Sequence, residues 1–375
     1  MEDDLSMNSR ERIKTLLSFN EPDRIGLHDA YWEDTLLRWV EEGLPEGINP
    51  TDHFDFDFDN LYIDASLRLP EELLEDTAEH TIHQDKHGFI TKMWKGKAGG
   101  RGYIDHSVKD KNDWEALKGR LTVDFGEASR IHNIIYAEPF IEWPSWEEAA
   151  QIYQKTRARG KYLLLHVYGP YEANWRKHGF NETLMDMVLN PDLLADMSKV
   201  HVDLVIETLE KAAQYGIKPD GLFVVEDMGV NTGPMFSPAA YKRVLYDQHR
   251  RLGDYLQSNG IAFFMHTDGD IRMFIPMLIE AGVQVLQPLE ARAGLDVRKL
   301  KAEYGKDLSF MGNISVEKMS ASESELEHEV RSKLEVAMRG GGYIYHSDHS
   351  VPSLVSLKDY EYLITLLKKY GRYSV

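Results

Sequence analysis

The feature that most constrains this chain is a repeated alternation of short apolar runs with longer stretches of helical periodicity. The runs are KYLLLHVYG (161–169), GLFVVEDMG (221–229), IAFFMHTDG (261–269), GVQVLQPLE (282–290), LSFMGNIS (308–315) and GGYIYHSDH (341–349). Continuous apolar runs of this length are what strands covered on both faces require, and helices between them make βα units around a parallel sheet. RIGLHDAYW (24–32) supplies a seventh strand, and one more is expected somewhere in 45–160. The pattern therefore predicts an α/β chain folded as a (β/α)8 TIM barrel, one domain over 1–375.

The helices between the runs carry legible ends. Asn190 and Ser237 are expected N-caps, each followed by a proline at the first helical position, Pro191 and Pro238. Gly216 and Gly260 are expected to close these helices. Tyr241, Val244, Leu245, Leu252, Tyr255 and Leu256 recur at helical spacing, a stripe that faces the sheet. The region 75–107 reads differently, as HTIHQD, a turn at His87 and Gly88, FITKMWKG and a glycine-rich GKAGGRGYI, a β-rich excursion decorating the barrel.

Composition narrows the function. With 375 residues, 42% of them hydrophobic, the chain can bury a large core. A net charge of −19 repels phosphate backbones and anionic membranes, so nucleic acid and membrane surfaces are not expected partners. No apolar run is long enough to cross a bilayer, and MEDDLSMNSRER lacks the pattern of a signal peptide, which makes the expected location cytoplasmic and the first few residues disordered. The chain has no cysteine, which removes disulfides, thiolate nucleophiles, iron-sulfur clusters and thiolate-held zinc. Any metal must be held by nitrogen and oxygen.

Each apolar run ends on polar residues: Asp29, His166, Glu226 and Asp227, His266 and Asp268, Glu290, Asn313, then His346, Asp348 and His349. In a parallel barrel all these ends open on one face, where they become candidates for binding and catalysis. A single Asp or His after a strand is more often a cap or turn former, and Asp270 fits that reading as the cap of a helix near Ile271. His201 and His249, inside helices, read as packing residues. His266-x-Asp268 is a stronger pattern, because alternate residues of an extended segment point the same way. Adding His349 gives a His, carboxylate, His set with an open position, as catalytic zinc requires. The alternative has Asp268 capping the next helix while Asp348 coordinates.

DHFDFDFDN (52–60) alternates Phe54, Phe56 and Phe58 with Asp55, Asp57 and Asp59, which gives an extended chain an aromatic face and a carboxylate face. The plain reading is an edge strand or loop with a solvated acidic side. In the functional one, Asp57 or Asp59 stabilises cationic character in a substrate. Few basic residues lie near strand ends or loops to grip an acidic substrate: Arg24, Arg68, Arg176 and Arg272.

From RERIKTLLSFNEPDRIGL through SPAAYKRVL, HTDGD, MGNIS and GGYIYHSDHSVP to KKYGRY, the chain resembles the uroporphyrinogen decarboxylase superfamily, which includes zinc-dependent methylcobamide:coenzyme M methyltransferases. The likeness implies a distorted barrel with its site at the strand C-terminal face, and a homodimer. Against the decarboxylases, DAYWEDTLLRW lacks the arginine-rich porphyrinogen-binding segment, Gly312-Asn313-Ile314-Ser315 lacks the aspartate of Gly-Asn-Met-Asp, and Asp348-His349-Ser350 keeps only the histidine of Gly-His-Gly. Against the methyltransferases, His266 matches the histidine of His-x-Cys, Asp268 stands at its cysteine and His349 at the second cysteine. Glu226 is then a further ligand or the partner that orients His266. The resemblance thus implies a zinc-dependent methyltransferase moving methyl groups between a small methylated substrate, a corrinoid or corrinoid protein, and a thiol. The alternatives are a tetrapyrrole decarboxylase that uses Asp57 or Asp59, and a non-catalytic corrinoid or tetrapyrrole binder.

Overall fold

The computed structural model describes residues 7–95, 102–134 and 141–373. Its centre is a curled sheet with eight parallel strands: β1 (Gly26–Leu27), β2 (Phe58–Ile63), β3 (Tyr162–Tyr168), β4 (Gly221–Val225), β5 (Ala262–His266), β6 (Val285–Gln287), β7 (Ser309–Met311) and β8 (Tyr343–Tyr345). Neighbours follow the order β1-β8-β7-β6-β5-β4-β3-β2, and Ile131–His132 pairs antiparallel outside β2 as a ninth strand. All seven strands read from the sequence are present. The eighth is β2, which DHFDFDFDN enters; its Asp59, Asn60 and Tyr62 break the apolar run that marks the others.

Alternate residues inside the curl form a floor of rings. Phe58, Tyr162, Phe223 and Phe264 lie with centroids 5.5 to 6.5 Å apart. Gly221 leaves room for this layer, since a Cβ there would sit 2.9 Å from the Phe264 ring and 2.8 Å from Leu164. Two residues further along the strands the same face turns polar, with Asn60, His266 and Gln287. The parallel edges β1 and β2 meet at Asp57, whose N–H donates to the Leu27 carbonyl at 2.8 Å and whose carbonyl accepts from Tyr162 N at 2.8 Å.

The helix ends follow the sequence with one exception. Ser237 accepts from Ala240 N at 3.2 Å, and Gly216 and Gly260 take positive φ of 76° and 66°. Asn190 makes no capping bond, because its side chain donates instead to Asp186 at 2.7 Å. The stripe from Tyr241 to Leu256 is buried, with Tyr255 half-buried. The excursion is a four-stranded antiparallel sheet in chain order, Glu72–Asp76, His80–Gln84, Ile90–Trp94 and Gly102–Asp105, with Gly88 at φ 78° in its turn. Residues 96–101 of the glycine-rich segment and residues 1–6 at the start lie outside the described residues. No described helix is long and apolar enough to cross a membrane.

Candidate metal centre

A cavity of about 540 Å3 opens at the C-terminal ends of the strands. A larger hollow of about 760 Å3 lies elsewhere, between Lys109–Lys118 and Asp186–Asp196, and holds none of the clustered groups described next.

One ligand atom from each of Asp227, His266 and Asp268 lies within 4.8 Å of the others. His266 Nε2 is 3.1 Å from Asp227 Oδ1 and 3.9 Å from Asp268 Oδ1. Ligand atoms around a tetrahedral ion with bonds of about 2.0 Å sit roughly 3.3 Å apart, so these spacings suit one ion. Gln287 Oε1, 2.5 Å from His266 Nδ1, accepts that proton and turns Nε2 toward the carboxylates. Burial opposes a charge on His266, but Asp227 and Asp268 outweigh it and push the imidazole up to about 10. A metal would take the place of that proton. Asp227 is held below the usual carboxylate range, burial opposing and the charge of His266 prevailing; Asp268 is raised, first by burial and then by Asp227. Asp268 Oδ1 is buried with no hydrogen-bond partner, an orphaned acceptor of the kind a cation satisfies.

The loop carrying Asp268 is pinned. Gly269, at φ 80°, donates its N–H to Glu290 Oε2 at 2.8 Å, and a Cβ there would meet Gly229 C at 2.3 Å. Only glycine fits both the backbone angle and the contact.

The tight group differs from the expected ligand set. Asp227 takes the third place, while His349 lies outside the tight group with Nε2 3.9 Å from Asp268 Oδ2. The signal lay in the register: β4 pairs with β5 so that Val225 faces His266, which puts Asp227 opposite Asp268. Asp348 is not the alternative ligand, since its oxygens accept from Ala291 N at 3.0 Å and Val316 N at 2.8 Å. Asp270 chelates the Arg272 guanidinium and accepts from the Arg272 N–H at 3.2 Å, so it caps a turn ahead of helix Ile275–Glu280 and not a helix beginning at Ile271. Glu226 neither faces the cluster nor orients His266; it is fully buried, caps helix Pro170–His178 through Tyr171 N and Glu172 N at 3.0 Å, and accepts from His249 Nε2 at 2.8 Å. The orienting role falls to Gln287.

Asp57 and Asp59 lie at the opposite ends of the strands. Asp57 is fully buried against Arg12 and Arg24 at 2.7 and 2.6 Å, and Asp59 is held by Arg159 at 2.7 Å. Asn313, at φ 76°, binds Val297 N, Leu289 O and Leu295 O, and so braces loops. Glu290 holds Gly269 and Arg292 behind the cluster.

Asp29, His166 and His346 do line the cavity. Asp29 accepts from the hydroxyls of Tyr345 at 2.5 Å and Tyr360 at 2.7 Å. His166 stacks on Phe223 at 4.4 Å and is held down to about 3, by burial and then by the charge on His266. Burial also lowers His346. His28 is a wall residue that the sequence did not single out; its Nδ1 is buried without a partner, and burial holds the ring neutral. Among the described residues, the cavity lining contains no lysine or arginine. Arg24, Arg68, Arg176 and Arg272 are paired with Asp57, Asp64, Glu172 and Asp270.

The family model described as Uroporphyrinogen decarboxylase (URO-D) matches residues 173–370, more than half of the chain. Among solved structures, a methyltransferase from Methanosarcina mazei aligns at a TM-score of 0.65 and 12% identity, covering 97% of this chain and 99% of that one. Weaker likenesses include an endo-beta-1,4-xylanase from Gloeophyllum trabeum (TM-score 0.38, 10% identity, 62% of this chain and 83% of that one) and a putative vitamin-B12 independent methionine synthase from Listeria monocytogenes (0.35, 11%, 61% and 68%). No curated protein sequence matches the chain.

Proposed function

The chain belongs to the uroporphyrinogen decarboxylase (URO-D) family, and we propose that within it this protein is a zinc-dependent methyltransferase. Its reaction moves a methyl group between a small methylated substrate, a corrinoid and a thiol. The observation that carries this reading is the Asp227, His266, Asp268 cluster with its orphaned Asp268 oxygen. The methyltransferase from Methanosarcina mazei, alike over nearly the whole length, supports the same branch. The Asp57 bridge between β1 and β2 supports reading the curled sheet as a closed, distorted barrel.

Bound at the cluster, zinc would supply a Lewis-acid centre that favours the deprotonated form of a thiol. Gln287 fixes the tautomer of His266 so that Nε2 offers its lone pair, and the two carboxylates supply negative donors. His166 and His346, kept neutral by burial, form a polar wall without adding charge. A cavity whose described lining offers carboxylates and imidazoles, without a guanidinium, is unsuited to a substrate bearing many carboxylates. That weighs against porphyrinogen decarboxylation. A corrinoid protein as methyl carrier, a homodimer and a cytoplasmic location complete the proposal, the first two from the family resemblance.

The test mixes zinc-loaded protein with methylcobalamin and a small thiol and follows the cobalamin absorbance. Thiol-dependent demethylation, abolished by EDTA and by His266→Ala, is expected. Release of carbon dioxide from uroporphyrinogen by metal-free protein would replace this reading with the decarboxylase one, and binding of methylcobalamin without turnover would replace it with a carrier.

A further inference from the structure

A second cavity, of about 580 Å3, lies beside the first and shares Asp227 with it. Two regions distant in sequence build its wall. The antiparallel excursion contributes Phe89 and Tyr103, and the helices Pro170–His178 and Phe180–Leu189 contribute Trp175 and Phe180. Trp175 is the hub, with centroids 5.7 Å from Phe89, 5.7 Å from Tyr103 and 5.9 Å from Phe180, each ring edge-to-face with it. The polar lining includes the carboxylates Asp105, Glu172, Glu182 and Asp227, and no lysine or arginine among the described residues. Nothing in the thiol chemistry above uses this wall.

Aromatic walls and carboxylates together select a particular ligand chemistry. Ring faces attract cations, and they favour those whose charge is diffuse and weakly hydrated over a compact ammonium that water holds tightly. Trp175 already accepts such a cation, the Arg176 guanidinium, 4.6 Å from its centroid. Arg176 also pairs with Glu172 at 2.6 Å, and Lys109 pairs with Asp105, both from outside the lining. Asp227 is paired with His266, so Glu182 remains as the carboxylate of the lining that no salt bridge neutralises among the described residues. An anionic ligand would be repelled, and a neutral apolar one would gain nothing from the charge.

We propose that this cavity binds a methylated ammonium group, quaternary or tertiary, on a small molecule without a carboxylate. As a statement about substrate class it rests on the methyltransferase reading, because Asp227 would place an N-methyl group beside the metal cluster. As a statement about binding it does not.

The test is calorimetric titration of the full chain, in EDTA, with choline and with its neutral isostere 3,3-dimethylbutan-1-ol. Because EDTA removes metal, failure of the metal reading cannot produce failure here. Saturable choline binding is expected, with the isostere weaker by about tenfold or more. Tyr103→Ala and Phe180→Ala, at rings 53% and 37% exposed, should each weaken choline by about fivefold with unchanged melting. Glu182→Gln, which leaves every ring in place, should weaken choline and leave the isostere alone. Equal binding of choline and isostere would overturn the proposal, as would no saturable choline binding, or wild-type affinity in all three variants.

Discussion

The two ends of the parallel strands carry carboxylates in opposite conditions. At the N-terminal end, Asp57 holds Arg12, Arg24 and the Leu27 amide, and Asp220 holds Arg10, Arg157 and the Leu163 amide. At the C-terminal end, Asp227 and Asp268 share one histidine, and Asp268 keeps a buried oxygen without a hydrogen-bond partner. A fold gains from satisfying every buried charge, so charge left unsatisfied marks where a ligand completes the site. Residue type alone does not separate the two ends. Their partners do.

The comparison breaks first, and hardest, at Asp57. Asp57→Ala removes the carboxylate that two buried or half-buried guanidiniums share, leaving Arg12 on Asp23 and Arg24 near Asp55, and should cost about 3 kcal/mol in chemical denaturation. A cost below about 1 kcal/mol would mean that this end is not a structural clasp.

Lys177 sharpens the comparison, being a buried amine that is not part of the metal cluster. Its ammonium donates to Ala173 O at 2.9 Å and makes no salt bridge among the described residues. Burial lowers it from 10.5 to about 7. Between those values the folded state binds fewer protons than the unfolded one, so stability rises with pH across the window. Lys177→Met should therefore melt higher than the parent below pH ~7, and the gap should close toward pH ~10.5. A gap that widens with pH would contradict this.

Smaller effects belong to the metal end. Without metal, Asp268→Asn relieves a repulsion with Asp227 and should change stability by no more than about 1 kcal/mol, while zinc affinity falls steeply in equilibrium dialysis. Equal zinc affinity in this variant would remove Asp268 from the ligand set. His349→Ala should do least, keeping bound zinc with an affinity lowered by at most about tenfold. Complete loss of zinc in His349→Ala would restore the set first read from the sequence.

Much of this was legible before any coordinates. Seven strands, the excursion and the His266-x-Asp268 pair follow from periodicity and from polar residues placed after apolar runs. β2 was not, because its inward side chains beyond Phe58 are Asn60 and Tyr62 and its alternation of Phe with Asp resembles an edge strand. Asp57 was misread for a related reason: a carboxylate opposite a phenylalanine row shows which face it takes and not which end of the sheet it occupies. Asp227 and Gln287 entered through pairing, since each owes its role to standing beside β5. His28 needed a cavity to be noticed at all.

The most direct measurement is metal content by mass spectrometry on untagged protein, loaded with zinc and dialysed, beside the variants His266→Ala, Asp227→Asn and Asp59→Asn. About one zinc per chain is expected in the parent and in Asp59→Asn, whose carboxylate lies at the other end of the sheet, and none in His266→Ala or Asp227→Asn. A parent that holds no zinc, or zinc retained equally in all four proteins, would contradict the assignment of the Asp227, His266, Asp268 cluster as the metal centre.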